Sequence, residues 1–146
     1  MSEDRVFLDT NIIIYAYDIS AVTKHEIANE LLINLWDQGL AVISTQVLQE
    51  FFVNVTQKIP EPLDIKIARD IINDLLKWDV VVNDGESILN AIEIHRKYKY
   101  SFWDSMIIDA AIKGRCTILL SEDLLAGQKI NSVEIKNPFL IEKHKA

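Results

Sequence analysis

Four short, almost wholly apolar runs recur along the chain, separated by longer stretches whose apolar residues fall at helical spacing. This alternation constrains the fold more than any other feature. The runs are Arg5-Val6-Phe7-Leu8-Asp9, Leu40-Ala41-Val42-Ile43, Asp79-Val80-Val81-Val82 and Thr117-Ile118-Leu119-Leu120, with a shorter Val133-Glu134-Ile135 near the end. A strand that is apolar on both faces belongs in a sheet covered on both sides. The intervening segments supply the cover. Residues 21–37 carry Ile27, Leu31, Leu32, Leu35 and Trp36 at helical spacing and stop before Gly39. Ser44 or Thr45 can cap a helix lined by Val47, Phe51 and Val55, which Pro60 and Pro62 end. Ile67, Ile71, Leu75 and Leu76 mark a helix over 63–77, and further helices follow at 85–98 and at 102–114, the last closed by Gly114. Alternating strands and helices predict a three-layer α/β/α architecture around a central, mostly parallel sheet of four to five strands.

A chain of 146 residues, 49% hydrophobic and 25% charged, fits one core and excludes wholesale disorder. The expected organisation is one domain over 1–140 with a short tail at 141–146. No apolar run reaches the length of a membrane span, and the start Met-Ser-Glu-Asp-Arg is too acidic for a signal peptide, so a cytoplasmic protein with no membrane partner is expected. The single cysteine, Cys116, rules out an internal disulfide. It joins three scattered histidines, His25, His95 and His144, in a set too poor for zinc. The four glycines are isolated, so neither a P-loop nor a dinucleotide fingerprint can be built. Nucleophile elbows and paired zinc histidines are also missing.

What remains is carboxylates. Asp9 ends the first strand and precedes Thr10 and Asn11; Ser121, Glu122 and Asp123 follow the fourth strand in the same way. Ligands of open α/β sheets gather beyond the carboxyl ends of the strands, so two such loops can share a cleft. As a plainer alternative, Asp9 caps a helix starting near Ile12, and Glu122 or Asp123 sits in a surface turn. Glu50 lies among apolar neighbours one turn into its helix. Asp104 shares a helical face with Ile107, Ile108 and Ala111, whereas Asp109 falls about 140° away around the same helix. A carboxylate on a buried face is costly unless paired or bound to metal. Acidic groups that converge repel one another, and a hard divalent cation relieves that repulsion; oxygen-only donors favour Mg²⁺ or Mn²⁺. Such a site suits phosphodiester hydrolysis by a metal-activated water.

The runs Phe7-Leu8-Asp9-Thr10-Asn11, Gln49-Glu50-Phe51, Ser101-Phe102-Trp103-Asp104 and Leu120-Ser121-Glu122-Asp123-Leu124 resemble, in order, the acidic motifs of PIN-domain ribonucleases, in particular the VapC-type toxins of toxin–antitoxin pairs. The resemblance spans Val6 to about Phe139. It implies a metal-dependent endoribonuclease, with Asp9, Glu50, Asp104 and Asp123 as the acidic metal-binding and catalytic set around one or two Mg²⁺ or Mn²⁺ ions. Thr10, Asn11 and Ser121 would be the polar supports, Ser121 standing where threonine is common. It further implies a homodimer and an antitoxin partner that fills the groove.

Net charge is −7, yet residues 1–94 hold 6 basic against 16 acidic side chains and residues 95–146 hold 9 against 6. The basic excess nominates Arg96, Lys97, Lys99, Lys113, Arg115 and Lys129 as RNA contacts, with Tyr98, Tyr100 and Trp103 available for stacking. Trp103 and Phe102 are expected chiefly in the core or an interface. Two competing functions stay open at this point. A phosphorelay receiver would use Asp84 after a middle strand, but it lacks the lysine such domains need after the fourth. A silent scaffold would bind RNA or protein without cutting.

Overall fold

In the computed structural model, residues 4–140 are described, so His144 and the expected tail at 141–146 lie outside the described residues. Strand β1 (Val6–Leu8) is followed by helix α1 (Thr10–Tyr17), a short 3-10 turn (Ile19–Ala21) and helix α2 (Thr23–Gln38). Next come β2 (Ala41–Ser44), α3 (Thr45–Gln57), α4 (Ile65–Leu75), β3 (Asp79–Val81), α5 (Gly85–Tyr98) and α6 (Phe102–Lys113). The chain then forms β4 (Ile118–Leu120), β5 (Lys129–Ile130) and β6 (Val133–Lys136).

The sheet has six strands in the order β3-β2-β1-β4-β6-β5, one more than the four to five expected. All neighbours pair in parallel except β5 with β6, which are antiparallel. The extra strand is only two residues long and holds the sheet edge, with Lys129 exposed and Ile130 buried. Chain order runs outward one way from β1 through β2 to β3 and the other way from β4, so the order reverses between β1 and β4. That reversal opens a crevice at the strands' carboxyl ends.

The core explains the apolar runs. Phe7, Leu8, Val42, Ile43 and Leu119 are buried between helix layers formed by Ile12, Ile13, Val47, Phe51, Ile107 and Ile108. Each such side chain contributes roughly 1.5–3 kcal/mol by leaving water. Two glycines act where no other residue fits well. Gly39 ends α2 at φ +68, a left-handed cap. A Cβ on Gly114 would stand 2.9 Å from Val42 Cγ1. Among the described residues no helix is long and apolar enough to cross a membrane.

Candidate active site

The residue after β1 serves two ends at once. Asp9 caps α1, its Oδ1 accepting from the Thr10 backbone N–H at 2.7 Å, as the plainer sequence reading expected. Its Oδ2 accepts from Ser121 Oγ at 2.7 Å, across the β1–β4 crevice. Capping and a site role are therefore compatible. Ser121 Oγ also accepts from the backbone N–H of Asp123 at 3.2 Å, which shapes the loop after β4. Asn11 Nδ2 donates to Asp123 Oδ2 at 3.0 Å, and Asn11 Oδ1 accepts from the Glu122 N–H.

Glu50 comes from the second turn of α3. Its Oε1 accepts from Thr10 Oγ1 at 2.6 Å and its Oε2 from Gln46 Nε2 at 3.2 Å. Gln46 also donates to the Trp103 carbonyl, tying α3 to the start of α6, while its Oε1 is buried without a partner. Asp104 stands in the first turn of α6, whose cap Ser101 accepts from the Asp104 N–H. Asp9, Glu50, Asp104 and Asp123 thus line one cleft of about 530 Å³ together with Thr10, Asn11, Gln46 and Trp103. The structure brings together all four acids that the sequence grouped.

Glu122, the acid beside Asp123, turns elsewhere. It accepts from Tyr15 OH at 2.6 Å and pairs with Lys24, whose ammonium also sits over the Tyr15 and Phe139 rings. Burial pushes the Glu122 carboxyl up, but Lys24 and Tyr15 outweigh it and hold the group below its ordinary value. Asp109 also lies apart, off the cleft, as its helical angle requires.

Electrostatics set the cleft acids apart from ordinary surface carboxylates. Burial pushes Asp9 up to about 6; Ser121 and Thr10 offset part of the rise, and the charges of Asp104 and Glu50 add to it. Burial likewise raises Asp104, with the charges of Asp123 and Glu50 contributing. Among the described residues no lysine or arginine pairs with any of the four. The donors are all oxygen and the carboxylates face one another unneutralised, which fits a hard divalent cation. Among the described residues no three histidine, cysteine or acidic side chains form a ready-made cage. The four acids line the same cleft without forming such a cluster.

The basic residues are distributed differently from the expectation. None of Arg96, Lys97, Lys99, Lys113, Arg115 or Lys129 lines the cleft. Arg96 pairs with Glu93, and Lys113 pairs with Asp84 in a separate hollow that includes Arg115. The cation that does line the cleft is Lys58, at the end of α3, which sequence reasoning missed along with Gln46. Their spacing of four before and eight after Glu50 places both near its face of the helix, a signal visible only once Glu50 is fixed. Trp103 is not in the core of this chain: it is 62% exposed at the cleft. The receiver alternative fails on placement, since β3 is an edge strand and Asp84 caps α5. Cys116 is buried beside β4 with its thiol pushed up to about 12 by burial, which makes it inert.

An open, mostly parallel sheet with an acidic cleft at its reversal point defines the class of α/β protein. The PIN-domain family model matches residues 6–124, and the chain belongs to the PIN-domain family. Among curated proteins none matches this sequence. Several solved structures share the fold. A toxin–antitoxin complex from Klebsiella pneumoniae superposes with a TM-score of 0.64 at 16% identity, covering 88% of this chain and 94% of its own. VapC20 of Mycobacterium tuberculosis, a sarcin–ricin loop cleaving toxin, gives 0.59 at 17% identity over 78% and 86%. The DNA-bound VapBC of Salmonella typhimurium gives 0.62 at 18% identity over 93% and 99%.

Proposed function

We propose that this protein is a Mg²⁺- or Mn²⁺-dependent endoribonuclease and the toxin member of a toxin–antitoxin pair, acting in the cytoplasm. The observation that carries the reading is the cleft itself: Asp9, Glu50, Asp104 and Asp123, far apart in sequence, line one hollow, and among the described residues no cationic side chain pairs with any of them. One or two ions bound there supply Lewis-acid activation of water and offset charge on the scissile phosphate. The chain's own part is positioning. Ser121 and the Thr10 amide fix Asp9, Thr10 Oγ1 and Gln46 fix Glu50, and Asn11 fixes Asp123. These contacts hold the acids in place before metal and substrate arrive, which lowers the reorganisation needed for the reaction. Lys58, which lines the cleft, would meet a substrate phosphate, and exposed Trp103 on the same cleft would offer a stacking face.

The toxin assignment rests on family membership and on the toxin–antitoxin character of the similar structures. An antitoxin would restrain activity by occupying the groove. The homodimer reading draws on α5, which leaves Ile88, Leu89 and Ile92 exposed on one flank. The silent-scaffold reading lacks a reason to gather four mutually repelling acids. The test is incubation of the purified protein with a panel of tRNA, rRNA and mRNA in Mn²⁺ or in EDTA, with the cut ends mapped. Discrete cuts in Mn²⁺ that vanish in EDTA and in Asp104→Asn support the reading; equal cleavage by Asp9→Asn and Asp104→Asn overturns it.

A further inference from the structure

Tyr100 belongs to none of the interactions described so far. It does not line the acidic cleft, and its ring packs partly buried against the core. Its hydroxyl is engaged within the chain. It accepts from the Leu125 backbone N–H at 3.2 Å and donates to Gln128 Oε1. The Gln128 N–H in turn donates to the Leu125 carbonyl at 3.2 Å, so the hydroxyl closes on both ends of the turn that follows Asp123. The backbone of Tyr100 is fixed as well. Its carbonyl meets His95 Nδ1 at 2.5 Å, and Lys99 before it takes φ +68, the left-handed residue that ends α5. The next residue, Ser101, caps α6 and accepts from the Asp104 N–H at 3.1 Å. Tyr100 thus spans the two segments that carry Asp104 and Asp123.

Those two acids need such a tie. They repel each other: the charge of Asp123 adds to the rise that burial imposes on Asp104. Asn11 and Ser121 tie Asp123 to α1 and β4, the Asp9 side of the cleft. The tie to the α6 side runs through Tyr100. Packing does only part of this work, since Leu124 is buried but Leu125 is 65% exposed. A tyrosine suits the task because one hydroxyl on a rigid ring both accepts and donates. Mg²⁺ demands near-ideal placement of its oxygen donors, so a small drift of one acid weakens binding. We propose, on the strength of the metal-site reading above, that Tyr100 is a positioning residue. Its hydroxyl holds the turn after Asp123 against the start of α6 and so fixes the separation of Asp123 from Asp104. That role stands in place of the base stacking for which the sequence offered this residue.

Tyr100→Phe keeps the ring and removes the hydroxyl; Tyr98→Phe, a like change near the end of α5, is the control. In the full ¹⁵N-labelled chain without metal, the Leu125 amide of Tyr100→Phe should exchange with solvent several-fold faster, up to about tenfold, the loss of one hydrogen bond. Mn²⁺ titrated without RNA should bind at least about fivefold more weakly. Its paramagnetic broadening should fall at the Asp123 amide relative to the Asp104 amide. RNA cleavage at fixed Mn²⁺ should lose kcat with KM for RNA unchanged. Tyr98→Phe should match the wild type throughout. Wild-type Leu125 exchange and Mn²⁺ affinity in Tyr100→Phe overturn the proposal. So does equal loss of broadening at both acids, which marks general loosening, and so does a raised KM with unaltered Mn²⁺ affinity, which makes Tyr100 an RNA contact. Failure of the metal-site reading looks different: the wild type itself then takes up no Mn²⁺, and the proposal falls with it.

Discussion

Asp9 is asked to cap a helix and to hold a charge where water is scarce, and the two demands differ in sign. Burial keeps its proton bound up to about 6, against an ordinary 3.8. Between those values the native protein binds more protons than the unfolded chain, so its stability falls as pH rises, and the full penalty is present above about 6. Roughly 3 kcal/mol is at stake by the usual conversion. Asp9→Asn keeps a good cap and removes the charge. It should raise the melting temperature of the metal-free protein above neutral pH, flatten the decline between pH 4 and 6, and abolish RNA cleavage; parallel pH profiles for the two proteins would contradict the burial argument. Lys24 acts at the same scale. By holding Glu122 against Tyr15 it leaves Asp123 to face the cleft. Lys24→Met should lower cleavage about tenfold, equivalent to about 1.4 kcal/mol of lost positioning, with little change in fold by circular dichroism.

At the level of elements, two glycines with different reasons make a matched pair. Gly114 has an ordinary φ of −78, but an added Cβ meets Val42 and Val81. Gly39 has open space around it, but φ +68 disfavours any side chain. Gly114→Ala should cost about 1–3 kcal/mol through overpacking, and Gly39→Ala about 1 kcal/mol through backbone strain, both read from urea midpoints. The strands flanking the cleft were legible because each is a short apolar run ended by a polar residue. β5 was not, since two residues, Lys129 and Ile130, carry no period. The helix at 63–77 was placed within two residues, yet Ile67 and Leu76 are exposed while Ala68 and Leu75 pack inward. Periodicity gives a face; only the neighbouring α3 decides which edge of it is covered.

Over the whole molecule, the acidic set was readable because its members sit at strand ends and early helical turns, positions that topology brings together at the β1–β4 reversal. The basic contacts were not, because composition by halves says nothing of direction: the basic half places its charges around α5, α6 and the β3 edge, while Lys58 from the acidic half reaches the cleft. The exposed flank of α5 makes a further expectation at this scale. Leu89→Glu should shift a dimer toward monomer in sedimentation; a wild-type chain that is monomeric at high concentration would refute the paired form. The acidic cleft as a metal site is tested most directly by calorimetric titration of Mn²⁺ into wild type, Asp9→Asn and Asp104→Asn. One or two ions should bind the wild type and at least tenfold more weakly to each variant; undiminished binding in both, or none in the wild type, would mean that these four carboxylates do not form a metal centre.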